Sequence, residues 1–265
     1  MKKLSYLFKL LNFFIILNIY TMIKSSSNND EIDLLFYEKK LISQNGEDGL
    51  FEKIFNLIGT TSKYYVDFGA GNGHFWSNSK YLRKKFGWKG LLLDGKKYPP
   101  KTAANLHQEF ITAENINKIF EKYKVPQEFD LISIDIDGND FYVWKSLSKF
   151  YSPRVVVIEF NSRFNFDQDR VMKYSPFKVW NNVTEYYGSS ILAFYKLGRS
   201  LGYSLVYQES CGINLFFIRD DILQSKGIKF KNMNDVSKIY KAVPKYLEFE
   251  KEEFITSDEA LKLIS

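Results

Sequence analysis

The chain has 265 residues, 45% of them hydrophobic and 17% aromatic, which is enough to bury one sizeable core and argues against disorder. Its net charge of +6 is spread thinly: Lys84-Lys85, Lys96-Lys97 and the C-terminal lysines sit beside acids or in loops, and no basic stripe interleaves with aromatics, so no nucleic-acid partner is expected. Cys211 is the only cysteine, which excludes an intramolecular disulfide and disfavours a cysteine-built zinc site.

Lys2 and Lys3 precede "LSYLFKLLNFFIILNIYTMI", whose densest part, residues 10–20, is apolar except for Asn12 and Asn18; the polar "KSSSNND" follows. This is the pattern of a targeting segment. Residues 4–23 reach the roughly 20 residues of a membrane span, Lys9 near the start can snorkel, and no small-x-small cleavage site precedes Ser25. An uncleaved membrane anchor is therefore favoured over a cleaved signal, which would send the domain into the secretory pathway or out of the cell. An ordinary amphipathic helix is the plain alternative. The expected organisation is an anchor and linker over residues 1–30, one globular domain over 31–225, and a C-terminal extension over 226–265 packed on or flanking it. Asn182-Val183-Thr184 is a glycosylation sequon, relevant only in a glycosylating lumen.

From residue 31 onward, helical and strand periods alternate. "GLFEKIFNLI" places Leu50, Ile54, Leu57 and Ile58 on one helical side, "YYVDF" reads as a strand, "SNSKYLRKKF" as a helix opened by Ser77 or Asn78, and "KGLLLDG" as a buried strand. A helix near 114–123, the strand "FDLISIDID", a helix near 140–148 and the strand "PRVVVIEF" follow. Continuous apolar strands separated by helices predict a doubly wound α/β parallel sheet covered on both faces. After the helix "SSILAFYKLGRSLG", the strands "YSLVYQ" and "INLFFIR" are too close for a crossover and must form an antiparallel hairpin.

The first strand runs into "DFGAGNG", where Asp67 is followed by Gly69, Gly71 and Gly73. Such a loop lets a nucleotide or nucleoside approach the main chain, although plain tight turns look the same. Each apolar strand also ends in acid: Asp67, Asp94, Asp135 with Asp137, and Glu159. Open α/β sheets bind ligands at these ends, and an acid there is either solvated in a crevice or paired with hydroxyl and amine groups. Asp94 lies near the spacing after the glycines at which an acid meets ribose hydroxyls.

The motifs "SQNGEDGLFEKIF", "VDFGAGNG", "NSKYL", "GWKGLLLDG", "LISIDIDGNDFYVWKSL", "VVVIEFN", "YYGSSILAFYKLGRSLGY" and "CGINLFFIR", in this order across about residues 43–219, resemble the FkbM-like methyltransferases. The resemblance implies the class I methyltransferase fold, a Rossmann-like sheet with a C-terminal antiparallel hairpin. It also implies S-adenosyl-L-methionine as cofactor, and O-methyl transfer to a hydroxyl of a sugar, glycan or other small molecule. Carried over, Asp67, Gly69, Gly71 and Gly73 form the cofactor loop, Asp94 the ribose contact and Asp135 a further cofactor contact. Asp137 and Glu159 are then the catalytic contacts to the acceptor hydroxyl. The oxygens of Asp135, Asp137, Glu159 and Asn161 suit Mg²⁺, but the preferred reading is metal-free.

Plainer roles compete at each position. "DGND" is turn and helix-start chemistry, with Asn139 or Asp140 as cap. Residues 43–48 can cap the first helix or close the cofactor pocket; His74 can be a base or a polar contact. The segment from Tyr187 to Ser190 reads as a cap, Asn214 as a residue satisfied by a neighbouring loop, and Trp76, Trp88 and Trp144 as packing. The alternatives in function are a membrane-tethered binding protein without turnover and a nicotinamide oxidoreductase, the latter at odds with the terminal hairpin. Oligomeric state is not encoded in any of these patterns.

Overall fold

A central sheet of continuous apolar strands organises the chain, as seen in a computed structural model that describes residues 31–43, 45–75, 77–99, 105–181, 183–244 and 254–264. The expected N-terminal segment lies outside the described residues, as do Trp76 and Asn182 of the sequon. Among the described residues no helix is long and apolar enough to cross a membrane.

Asp33–Ser265 forms one unit. A single 3-10 turn, Leu34–Tyr37, precedes α1 (Glu47–Ile58), β1 (Tyr64–Phe68), α2 (Lys80–Phe86), β2 (Lys89–Asp94) and β3 (Leu106–Gln108). Next come α3 (Ile116–Lys122), β4 (Leu131–Ile134), α4 (Asp140–Leu147), β5 (Val155–Glu159), the short β6 (Val171–Met172) and α5 (Ile191–Ser200). The chain closes with β7 (Tyr203–Gln208), β8 (Asn214–Arg219), α6 (Asp220–Lys226), α7 (Val236–Ile239), β9 (Phe254–Ile255) and α8 (Ser257–Leu263).

Seven strands lie in the order β3-β2-β1-β4-β5-β8-β7. The first five in chain order pair in parallel, and β8 runs antiparallel to both β5 and β7. This is the doubly wound sheet with a terminal hairpin expected of the class I methyltransferase fold. The apolar runs of β4 and β5 are buried along their lengths because helices cover both faces.

The helices fit the sheet through large side chains. α1 buries Leu50, Ile54 and Ile58 as its period predicts, but Phe51 and Phe55 fill the seam while Leu57 is only half-buried. The longer aromatic side chains reach from the edge of the helical stripe, Phe51 to Phe216 and Phe55 to Trp88. On the other face Trp144 of α4 touches Phe194, Tyr203 and Phe217. α5 crosses so close that a Cβ on Gly198 would stand 2.7 Å from the Phe217 ring. Burial of each such ring contributes about 1.5–3 kcal/mol.

At the amino ends of the strands, Asp130 accepts hydrogen bonds from the amides of Thr61 and Lys63 and pairs with Arg154 at 2.8 Å. The turn into β1 is thereby tied to the starts of β4 and β5. Two features have no counterpart in the sequence periods: β3, with its polar "LHQ", and a small sheet in which β6 pairs antiparallel with β9. α8, capped by a reciprocal Thr256–Glu259 box, follows β9, and Lys145 of α4 donates to the carbonyls of Leu261 and Ile264. Asp169 accepts from the Ser257 amide and hydroxyl and pairs with Lys196. The C-terminal segment is in this way strapped across α4 and α5.

Candidate active site

The glycine loop after β1 is a closed curl. Gly69, Gly71 and Gly73 have φ of 63°, 57° and 73°, the left-handed region in which a side chain is strained. At Gly69 space is also decisive, because a Cβ there would lie 1.8 Å from the Asp135 carbonyl oxygen. This glycine lets the exits of β1 and β4 pass each other. Asp67 closes the curl: its Oδ2 accepts from the Ser77 hydroxyl at 2.8 Å, the Ser79 amide at 3.0 Å and the Ser79 hydroxyl at 2.7 Å. Burial raises its pKa, and these three donors hold it down in part. The geometry gives Asp67 a clamping role, directed at the loop itself.

Asp94, at the end of β2, stands against the curl. Its Oδ2 accepts from the Gly71 amide at 2.9 Å and its Oδ1 from the Lys96 amide at 2.8 Å. The side chain that spacing assigns to a ribose is therefore held in place by the same loop that carries the glycines. His74 follows; its amide and that of Phe75 donate to the Asn72 side chain, which completes the turn.

Across the sheet, Asp135, Asp137 and Glu159 converge, with one oxygen of each within 4.8 Å of the others. Regular strand geometry does not bring this about: β4 ends at Ile134, and Asp137 has φ of 59°, which turns its side chain back beside Asp135. The turn is pinned by Asp140, whose carboxylate accepts from the Ile136 and Gly138 amides, each at 2.9 Å. Asn139 occupies the cap position but makes no capping bond; its amide donates to the Ser175 carbonyl instead. The turn chemistry belongs to Asp140, and the Asp137 carboxylate accepts no hydrogen bond from the described residues.

Burial, then the charges of neighbouring acids (Asp137 and Asp140 for Asp135; Asp135, Asp140 and Asp137 for Glu159), raises both well above the usual carboxylate range. Asp137 is raised by burial and pulled back by Lys96. Two buried acceptors nearby have no hydrogen-bond partner among the described residues, Glu159 Oε2 and Asn214 Oδ1. Asn214 sits directly opposite Glu159 in the β5–β8 ladder, and its side-chain Nδ2 donates to Glu47 Oε1 at 3.1 Å. That contact draws the start of α1 over the sheet end. There Asp48 Oδ2 gathers the amides of Leu41, Ile42 and Ser43, and the Asp48 amide donates to the Ser43 hydroxyl, which ties the loop to the first turn of the helix, while the N-cap Gly46 offers no side-chain cap.

Residues 173–181 and 183–187 lie beside the acids. The Trp180 amide donates to the Asp137 carbonyl at 3.0 Å, and the Trp180 ring lies 4.6 Å from that of Tyr187. Burial raises the Tyr187 hydroxyl, with Glu159 and Asp135 among the charges it feels. Ser190 caps α5, while Trp88 and Trp144 belong to the core. Trp180 was not legible as a site residue, because it sits in a non-periodic stretch whose only signal is aromatics between turn residues. Three hard oxygens at this spacing are a donor set that a divalent cation accepts; protonation, which the raised pKa values favour, offsets the same repulsion without one.

No family model and no curated protein matches the chain. Among solved structures it is similar to the N-terminal domain of EvdMO1, crystallised in the presence of SAH and D-fucose: 10% identity over 65% of this chain and 82% of that one, TM-score 0.39. It is similar to an O-methyltransferase family protein from Burkholderia thailandensis, with 11% identity, TM-score 0.37, and 66% and 57% of the two chains covered. It also resembles MycE methyltransferase of the mycinamycin pathway in complex with Mg, SAH and mycinamycin VI, at 16% identity and TM-score 0.40, over 65% of this chain and 49% of that one. The match thus spans little more than half the length of the second and about half that of the third. Likeness of this size assigns neither activity nor substrate.

Proposed function

We propose that the chain is an S-adenosylmethionine-dependent methyltransferase of the FkbM-like kind, acting on a hydroxyl oxygen of a small or glycan-like acceptor. The observation that carries the reading is the gathering of acids at the carboxyl ends of the parallel strands, with Asp94 held against the glycine curl on one side and Asp135, Asp137 and Glu159 clustered on the other. The orphaned acceptors, Glu159 Oε2 and Asn214 Oδ1, call for donors. A ligand with the hydroxyls of a ribose diol and an ammonium supplies such donors, and a sulfonium beside them suits the acidic surroundings. A dinucleotide brings a pyrophosphate into a region already crowded with carboxylates, which disfavours the nicotinamide alternative.

When bound, the cofactor supplies a methyl group of electrophilic character. Asp94 holds the ribose, and the curl of residues 69–73 gives its main chain to the cofactor. Asp137, open on one side and less strongly shifted than the Asp135–Glu159 pair, accepts the acceptor's hydroxyl proton. Glu159 and Trp180 orient the acceptor. The N-terminal segment is proposed as a membrane anchor for this domain.

Calorimetric titration with S-adenosylmethionine, S-adenosylhomocysteine and NAD tests the reading. Both sulfur ligands are expected to bind and NAD to show no heat. Asp94→Ala, in a chain that remains folded, is expected to weaken S-adenosylhomocysteine binding by about 1.5–3 kcal/mol, the scale of hydrogen bonds to a charged group. Binding of NAD without either sulfur ligand would refute it.

A further inference from the structure

We propose that the rim of this cleft seats on an anionic lipid surface, whatever reaction the cleft performs. Three loops lie at the carboxyl ends of the strands, two of them in contact, and each sets exposed lysine beside exposed apolar side chains. Ahead of α1, Lys39 and Lys40 adjoin Leu41 and Ile42, both exposed and both held in place through their amides by Asp48. Beyond β2 and β3, exposed Lys97 and the partly exposed Phe110 flank the Asp94 side. Beside the acids, residues 173–181 present Lys173, Phe177 and Val179.

These residues are not scattered. Phe177 is 80% exposed, yet its ring stacks on Phe110 with centroids 6.1 Å apart, joining two of the loops into one apolar surface. Contiguous exposed apolar surface at a site mouth marks an interaction face. Its charge pattern selects the partner: the strand-end acids are buried or half-buried, while Lys39, Lys40, Lys97 and Lys173 are exposed. Lysine with aromatic and aliphatic side chains at one level is the composition that settles at the headgroup boundary, where each lysine adds attraction to an anionic leaflet. The chain ahead of the described residues supplies a second argument. Its residues 4–23 have the length and composition of an anchor, and residues 24–32 fully extended span at most about 30 Å, so an anchored chain holds the domain within reach of the bilayer.

The test uses the full chain with Cys211→Ser and one new cysteine carrying a bimane label, either Val179→Cys on the rim or Phe150→Cys, which is exposed beyond α4 at the opposite end of the strands. The protein is reconstituted with phosphatidylcholine vesicles, with or without phosphatidylserine, containing headgroup nitroxide lipid. With phosphatidylserine, quenching at position 179 is expected to exceed that at 150 by about twofold or more, and to fall toward the 150 level in pure phosphatidylcholine or when Lys39, Lys40, Lys97 and Lys173 are changed to Glu. The lipid comparison needs no charge reversal, so it stands even where the quadruple variant fails to fold. Equal quenching at the two positions, quenching at 179 indifferent to phosphatidylserine, or a rim that stays dark to nitroxide while an added protein protects it would each overturn the proposal.

Discussion

Asp137 shows how one residue's backbone decides its chemistry. Its left-handed φ leaves its carboxylate without a hydrogen bond while Asp140 does the turn's work. In the sequence the two roles were inseparable, since "DGND" suits either; only the partners of each oxygen distinguish them. Asp67 and Asp94 were legible as strand-end acids for the same physical reason, a charge placed after an apolar run. That Asp67 spends one oxygen on Ser77 and Ser79 was not legible, because the serines lie in an irregular loop. Asp137→Asn is expected to lower kcat at least about tenfold with S-adenosylhomocysteine affinity unchanged, the low end for a positioned base. The burial-raised pKa of Asp137 makes the wild-type rate climb with pH as the group loses its proton, and the variant is expected to lose that limb. A measured kcat profile that keeps the limb would return Asp137 to a structural role.

At the scale of elements, strands were the most legible, because burial on both faces demands unbroken apolar runs. β3, β6 and β9 escaped notice for the converse reason: they are two or three residues long and sit at edges, where pairing is set by neighbours rather than by pattern. The glycine curl was legible as a loop but not in its causes. Gly69 answers to the Asp135 carbonyl, whereas a Cβ on Gly87, past the end of α2, would meet no atom within 4 Å. Both have positive φ, so the pair separates strain from collision. Gly87→Ala is expected to cost about 1–2 kcal/mol in urea unfolding, the left-handed penalty alone. Gly69→Ala is expected to cost roughly 3 kcal/mol or more, because the β1 and β4 exits must part. Equal losses would mean that the two exits yield without resistance.

On the scale of the whole molecule, charge is sorted by depth, with lysines outside and acids drawn in beneath them. Burial holds Asp140 at about 6 and Glu209 at about 7 and pushes the Asp135–Glu159 pair upward. These groups bind protons more tightly folded than unfolded. Their contribution to stability is complete below the ordinary carboxylate range and is lost as pH rises through the folded values. The urea midpoint is accordingly expected to be higher at pH 5 than at pH 8, the reverse of a protein held by ionised surface carboxylates, and a midpoint that rises over this interval would contradict the burial argument. The strap of β9 and α8 carries a different consequence, one of timing. Val171 and Met172 bridge to Ser189 and Gly188 on one side and pair with Ile255 and Phe254 on the other, and Met172 lies against Gly138 beside Asp137. During synthesis the sheet can assemble as soon as β8 has emerged, with Val171 and Met172 already tied to Ser189 and Gly188, but the strand that completes the small sheet beside the acids is made about thirty-five positions later. A ribosome-bound chain can thus possess its core, and even its glycine curl, while β6 beside Asp137 still lacks the strand that covers its outer edge.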